Sequence, residues 1–377
     1  MTVGVPRESA PGEGRVALAP DAVKRLGRTG AGVVVERGAG ERAFFADADF
    51  EAAGARLGSR AEALAADVIA TVQGVPDAEL AALQPGAVVV GFLRPLDDAE
   101  CVHRLAEAGV TAIAMELVPR TTRAQKMDAL SAMSTVAGYR AALVAAERLP
   151  KFFPLLTTAA GTVRPATVLV LGAGVAGLQA LATARRLGAV TSAYDVRSAA
   201  REQVESVGAT FVELELATGD AEDAGGYARA LAADAQRQQV EALAALAAGF
   251  DVIISTALVP GRPAPLLLSE SAVEAMRPGS VIVDLAASGG GNCALTEPGG
   301  EAVHAGVTVL GPLDLAAGMP RHASEMYGRT VAALIGEFVA DGEWAPDVED
   351  EILAGAVVTH GGAVVHPRVL APSPVQP

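Results

Sequence analysis

Apolar and polar positions alternate along the chain in two series of blocks. In the first, short apolar runs at 2–6 (TVGVP), 32–38 (GVVVERG), 67–72 (DVIATV), 87–93 (AVVVGFL) and 110–116 (VTAIAME) are separated by helical patterns at 20–28, 48–56, 60–65 and 97–108. Strands that alternate with helices imply a mostly parallel sheet covered on both faces, because each parallel connection must cross over the sheet. Residues 134–149 (STVAGYRAALVAAERL) then read as one helix, with Ser134 or Thr135 as its N-cap and Pro150 as its stop. A connector at 151–165 leads to a second series, with strands near 167–171, 190–194, 209–213, 251–255, 280–285 and 307–310. After residue 320 the pattern predicts a helix at 326–341 and a hairpin at 356–367 that turns at Gly361-Gly362. Only the last ten residues read as disordered, and no repeat of solenoid period is present.

The expected class is therefore α/β. At 377 residues the chain exceeds one ordinary core. The blocks divide it into an N-terminal domain, 1–138 with 320–377 packing back on it, and a second domain, 139–319. A composition of 51% hydrophobic and 19% charged residues, rich in Ala and Gly, suits helices lying close on a sheet. The net charge of −15 and pI near 4.8 argue against nucleic acid or an anionic membrane as partner, since the long-range field repels both. Two cysteines far apart, Cys101 and Cys293, are expected to be unpaired buried thiols. The N-terminus lacks a basic-then-apolar leader. Residues 165–184 carry no charge and are long enough to span a bilayer, but their glycines and the strand-like TVLVL predict a strand, a tight turn and a buried helix instead.

That same stretch opens the strongest motif, VLVLGAGVAGLQALATARRLGAVTSAYDVR at 168–197. A buried strand leads into Gly172-x-Gly174-x-x-Gly177, a helix follows, and a second strand ends at Asp195. Gly172 permits the tight turn, Gly174 lets a pyrophosphate approach the backbone, and Gly177 lets helix and strand pack closely. The helix N-terminus offers free N–H groups to phosphates. Asp195 is placed to accept the adenosine ribose hydroxyls and to repel a 2′-phosphate, which favours NAD(H) over NADP(H), although Arg197 weakens that discrimination. A second glycine pair, Gly38 and Gly40 in VVVERGAGERA, is followed by FFADADF rather than a helix and reads as a structural turn. Loops at 255–265 and 284–293 follow strands of the second domain, where ligands of such sheets bind. Segment 217–231, acidic and glycine-bearing, reads either as a flap that closes Tyr227 over a cofactor or as a plain surface loop. Arg15, after the first strand, is either a solvated loop charge or a site wall.

Oxidation of an alcohol or amine by NAD needs a base for the proton as well as an acceptor for the hydride. Of the five histidines, His103, His304, His322, His360 and His366, only His322 falls on a predicted loop that can face a cleft. No base is evident, and no spacing suggests a metal. Residues 120–131 instead crowd Arg120, Arg123, Gln125, Lys126, Asp128 and Ser131 into twelve positions. Gln125, Asp128 and Ser131 are three apart, so a helical turn is expected to put them on one face.

Long segments resemble one family: VGVPRESAPGEGRVALAP, AMELVPRTTRAQKMDALSAMSTVAGYRA, TAAGTVRPATVLVLGAGVAGLQA, AYDVRSAAREQVESVGATF, AGGYA, TALVPGRPAP and PGSVIVDLA with GGNC. Over essentially its whole length the chain resembles the soluble NAD(H)-binding component, domain I of the alpha subunit, of proton-translocating NAD(P) transhydrogenases in the alanine dehydrogenase superfamily. The resemblance implies two Rossmann-like doubly wound parallel-sheet domains flanking a cleft, the first completed by the C-terminal segment. It also implies that Arg120 and Ser131 bind the nicotinamide carboxamide, that Asp128 orients Arg120, and that Gln125 lies between two nicotinamides. Val175, Asp195, Val196 and Arg197 are implied to hold the adenosine half, with Gly226, Tyr227 and Leu258 on the flap side. The implied partners are a membrane-spanning subunit and a subunit that holds NADP(H); a homodimer attached peripherally to the cytoplasmic face of the membrane is expected, with no nucleic acid. Hydride transfer between two nicotinamides moves no proton to oxygen or nitrogen, so it needs orientation rather than a general base. Only one credible dinucleotide fingerprint occurs, so the second nucleotide must come from elsewhere.

Alanine dehydrogenase is the rival reading. It shares the fold and an arginine matching Arg15, which there binds the substrate carboxylate. Its catalytic Lys, His and Asp fall, by motif position, at Gln73, Arg94 and Ser288, none of which can do their work. Departures from the transhydrogenase pattern are Met133 and Thr135, where amide side chains are usual, and Ser288, where an acid is common.

Overall fold

The computed structural model describes residues 1–214, 233–258, 261–340 and 342–370. Two compact units divide the chain: one comprises Met1–Met133 with the residues from Ala316 onward, the other Ser134–Leu315.

In the first unit, eight strands form one sheet in the order Ala363–Val364, Val357–His360, Thr111–Ala114, Val88–Gly91, Val68–Ala70, Thr2–Val5, Gly32–Glu36, Arg56–Gly58. The six N-terminal strands are parallel, and the two from the tail join antiparallel on the Thr111–Ala114 side. In sequence order the parallel strands run 6-5-4-1-2-3 across the sheet, a doubly wound topology. Central strands such as Val88–Gly91 are buried at every position, which is why they read as unbroken apolar runs rather than alternating ones. The tail is bound through helix Pro320–Glu337: Ser324 Oγ accepts the Val16 N–H at 2.9 Å, and the buried Tyr327 hydroxyl donates to Thr71 O at 2.8 Å.

The second unit repeats the topology. Its sheet runs Thr210–Phe211, Val190–Tyr194, Thr167–Leu171, Val252–Ser255, Val281–Asp284, Val307–Leu310, with Glu301–His304 antiparallel at the edge. Side-chain alternation along Thr167–Leu171 feeds two cores: Val168 and Val170 join one cluster with Ala141, Ala145 and Leu181, while Leu169 and Leu171 join the other with Leu243, Ile253 and Val273.

Several expectations need correction. The helix expected at 134–149 is Ala129–Arg148; it begins five residues earlier because Asp128, not Ser134 or Thr135, caps it, accepting the Ser131 N–H at 2.8 Å. By length and composition it is also apolar enough to cross a membrane, and it places Ala141, Ala142 and Ala145 in the second unit's core. His322 is not on a loop but in the first turn of Pro320–Glu337, a helix expected only from 326, because Pro320 is suited to a first helical position. The connector 151–165 contains a hairpin, Leu156–Thr158 with Gly161–Val163, and His304 ends an edge strand that the pattern did not reveal. Both thiols are free, but Cys101 is only half-buried while Cys293 is buried.

Candidate nucleotide site

The second unit's strand order reverses between Thr167–Leu171 and Val252–Ser255, and in open α/β sheets ligands bind in the crevice at the carboxyl ends of such strands. The glycine turn stands there. Gly172 has φ 94°, a left-handed conformation that needs glycine, and an added Cβ there meets Thr256 Oγ1 at 2.8 Å. That hydroxyl donates to Gly172 O at 2.8 Å and so ties the two strand ends together. A Cβ on Gly177 falls 1.9 Å from Gly172 O, so helix and turn touch backbone to backbone. A Cβ on Gly174 meets nothing within 4 Å, which leaves open space on the side where a phosphate approaches. Helix Val175–Arg186 has no acidic residue in its first turn and Arg185 and Arg186 in its last, so its charges leave the N-terminal potential positive. Val175 itself is 41% exposed at this mouth. These features fit a dinucleotide pyrophosphate.

Asp195 follows strand Val190–Tyr194 and is nearly buried. Its Oδ2 accepts the Ala173 N–H at 2.7 Å, which fixes the acid against the turn. Arg197 fills the rest of the carboxylate: its backbone N–H and Nε donate to Oδ1 at 2.9 Å each, and Nη2 donates to Oδ2 at 2.8 Å. A ribose diol that takes both carboxylate oxygens must therefore displace the guanidinium. Val196 is half-buried beside the pair and Leu258 is exposed beyond strand Val252–Ser255. Gly226 and Tyr227 lie outside the described residues.

Sequence reasoning missed the group that holds the neighbouring loops. Asp284, fully buried, ends strand Val281–Asp284 and accepts five hydrogen bonds: from Ser255 Oγ and the Ala286 N–H on Oδ1, and from the Asn292 and Cys293 N–H groups and Thr296 Oγ1 on Oδ2. Asn292 in turn receives the Ala257 N–H and donates to Ala257 O and Pro265 O. The available signal was an acid closing an otherwise apolar strand, VIVD. Ser288 lies exposed in the short 3-10 turn Ala287–Gly289 that this network supports.

In the first unit the expected face of Gln125, Asp128 and Ser131 is not one helix. A 3-10 turn covers Ala124–Met127, the backbone breaks at Asp128 (ψ 85°), and the long helix starts at Ala129. Asp128 and Ser131 do meet: Ser131 Oγ donates to Asp128 Oδ2 at 2.6 Å. Arg120 and Gln125 are exposed. Arg123 and Lys126 belong to structure, pairing with Glu337 and, for Arg123, Asp350 of the tail.

A buried polar cluster lies at this unit's own strand reversal, between Thr2–Val5 and Val68–Ala70. Arg15 is not a solvated charge. Its Nε and Nη2 grip both oxygens of Glu13 at 2.7 and 2.5 Å, its Nη1 donates to Met133 Sδ at 3.3 Å, and Gln73 Nε2 donates to Glu13 at 2.9 Å. Burial raises the Glu13 carboxyl, but the bonds and charge of Arg15, with Gln73, outweigh it and hold the pKa below the ordinary range. Nearby Glu8 accepts the Val72 N–H at 2.6 Å and the Gln73 N–H at 3.3 Å, yet burial pushes its pKa up to about 7. A carboxyl raised in this way binds its proton more firmly folded than unfolded, so its contribution is full below pH 4.5 and is lost as pH rises to about 7. The expected result is that the unaltered chain loses stability relative to Glu8→Gln across that interval. Amide exchange of the Val68–Ala70 strand at several pH values reads it; a pH-independent difference would refute the assignment.

Comparison with known proteins adds to this geometry. Residues 4–137 match the family Alanine dehydrogenase/PNT, N-terminal domain, and residues 141–367 match Alanine dehydrogenase/PNT, C-terminal domain. The chain belongs to the alanine dehydrogenase/PNT family. It is 44% identical over 373 residues to the NAD(P) transhydrogenase subunit alpha of Cereibacter sphaeroides, covering 97% of this chain and 71% of that one. It is 34% identical over 296 residues to the alanine dehydrogenase of Mycobacterium tuberculosis, covering 77% and 74% of the two chains. Among solved structures, the transhydrogenase from Sinorhizobium meliloti is similar at 42% identity and a TM-score of 0.86, covering 97% of this chain and 99% of that one. Both units of this family member thus have the doubly wound, Rossmann-like form that the resemblance implied.

Proposed function

We propose that the chain is the NAD(H)-binding component of a proton-translocating transhydrogenase, which passes hydride between NADH and NADP+ held on a separate subunit. The observation that carries the reading is the open glycine turn at the second unit's strand reversal, with Asp195 anchored beside it. NADH supplies the hydride. The helix at Val175 and the turn receive the pyrophosphate, and Asp195 takes the ribose hydroxyls as Arg197 withdraws. Arg120 and Ser131 hold the carboxamide, Asp128 fixes Ser131, Gln125 lies toward the second nicotinamide, and Leu258 lies on the flap side. Membrane-spanning subunits carry the protons, and the chain works as a homodimer on the cytoplasmic face of the membrane. Against alanine oxidation stand Gln73, whose amide carries no titrating proton and is spent on Glu13, and Arg15, whose fork grips Glu13 rather than a substrate carboxylate.

The test is a nucleotide titration followed by an assay. NADH binds the isolated chain, alanine gives no NADH, and reduction of an NADP+ analogue begins only when an NADP(H)-binding transhydrogenase subunit is added. Asp195→Ala is expected to weaken NADH about 10- to 100-fold, the worth of hydrogen bonds to a charged group, and to narrow the preference over NADPH by freeing Arg197 for a 2′-phosphate. Alanine-dependent NADH formation by the isolated chain sinks the proposal.

A further inference from the structure

Among the described residues, one cluster of metal-ligating side chains stands apart from the nucleotide turn. Helix Glu270–Ala275, capped by Ser269, presents Glu270 and Glu274 one turn apart, and the edge strand Glu301–His304 ends beside them. His304 Nε2 lies 3.3 Å from Glu274 Oε1 and 3.6 Å from Glu270 Oε1, and one ligand atom from each residue lies within 4.8 Å of the others. The turn Ala305-Gly306, with φ 49° and 77°, sets His304 opposite Val307 and so fixes the strand end that carries the imidazole.

Two observations bear on what this cluster can hold. Like charges four residues apart on a helix repel, and a positive group placed against both relieves that repulsion. His304 Nε2 hydrogen-bonds Glu274 Oε1 at 3.3 Å and stands 3.6 Å from Glu270 Oε1, so one nitrogen is shared between two carboxylates at distances longer than the roughly 2.8 Å of a tight charge-assisted bond. Ligands about 2.1 Å from a tetrahedral zinc ion are separated by about 3.4 Å. The geometry points to a divalent cation site, with Glu270, Glu274 and His304 as protein ligands and water completing the shell. An imidazole with two carboxylates selects zinc(II) or a neighbouring borderline ion over calcium or magnesium, which take oxygen alone.

Its place indicates what the ion does. His304 pairs with Val307, the first residue of the parallel strand Val307–Leu310, so the site lies at the amino-terminal end of the sheet, opposite the Gly172 turn. It is a structural clip that ties the helix before strand Val281–Asp284 to the sheet's exposed edge, and it acts without the nucleotide.

The test uses the full chain after chelator treatment. Zinc chloride titrated by calorimetry is expected to bind at one ion per chain and to raise the thermal midpoint, and cobalt(II) in its place to give the visible absorption of a four-coordinate site. His304→Ala, and separately Glu270→Gln with Glu274→Gln, each weaken binding at least about 10- to 100-fold, the range seen when even outer-shell partners are lost. All three side chains are solvent-accessible, so the metal-free variants keep the parent's fold, checked by circular dichroism. Failure of the parent to bind zinc, or undiminished binding by either variant, overturns the site.

Discussion

Gly177→Ala is expected to remove NADH binding at concentrations that saturate the unaltered chain. The reason is steric: the new methyl stands 1.9 Å from the Gly172 carbonyl oxygen, a backbone atom that cannot rotate away. Relief requires that helix Val175–Arg186 move off strand Thr167–Leu171, which carries the N-terminal N–H groups away from the pyrophosphate. Overpacking of this kind costs about 3 kcal/mol, so the second unit is also expected to unfold at lower urea. Because the chain has two units, a single midpoint is ambiguous, and amide exchange along Thr167–Leu171 is the better readout. Gly27→Ala is the control: it lies at the end of helix Pro20–Gly27, nothing stands within 4 Å of its added carbon, and it is expected to leave nucleotide binding unchanged. Normal NADH affinity in Gly177→Ala would mean that the nucleotide is not seated on this turn.

Asp284→Ala is the second large effect. The substitution leaves five donors without their acceptor, four of them buried, among these the N–H groups of Ala286, Asn292 and Cys293. Each orphaned group costs about 1–3 kcal/mol, and because the loop can relax and admit water, a total loss of about 4 kcal/mol is expected. NADH binding should weaken as well, because Asn292, which Asp284 positions, holds the Ala257 backbone beside the turn. Asp284→Asn keeps one acceptor oxygen but turns an amide toward donors, so it should recover little of the loss. Measured by exchange protection of Val252–Ser255 and Val281–Asp284, an unchanged Asp284→Ala protein would show that these bonds contribute nothing to the unit's stability.

The alanine dehydrogenase comparison sharpens what distinguishes two activities on one fold. Identity of 44% over 373 residues with the transhydrogenase subunit, against 34% over 296 with the dehydrogenase, supports transhydrogenase function. The local network speaks more directly. Arg15 is present in the chain, but Glu13, held by Gln73, grips its fork, and an arginine so neutralised offers a substrate carboxylate little.

By itself the sequence determined the elements whose information is local. Period and length gave the buried strands; the spacing Gly172, Gly174, Gly177 and Asp195 gave the nucleotide turn, because a tight turn, a close approach and a ribose acceptor each demand one residue type at one position. Where two local signals competed, reading failed. Ser134 and Thr135 are good caps, but Asp128 is earlier and its carboxylate reaches both the N–H and the hydroxyl of Ser131, so the helix begins there. Only the tertiary structure decided which charged side chains meet and how deeply they are buried, whether the partners stand two residues apart or far apart in the chain. It neutralised Asp195 with Arg197, buried Arg15 against Glu13, closed Asp284 on five donors, and set His304 against Glu270 and Glu274. Even where the partners stand two residues apart, as Glu13 and Arg15 or Asp195 and Arg197 do, spacing does not betray the pairing: the energy of a buried charge depends on which groups the fold brings within about 3 Å of it, and packing fixes that.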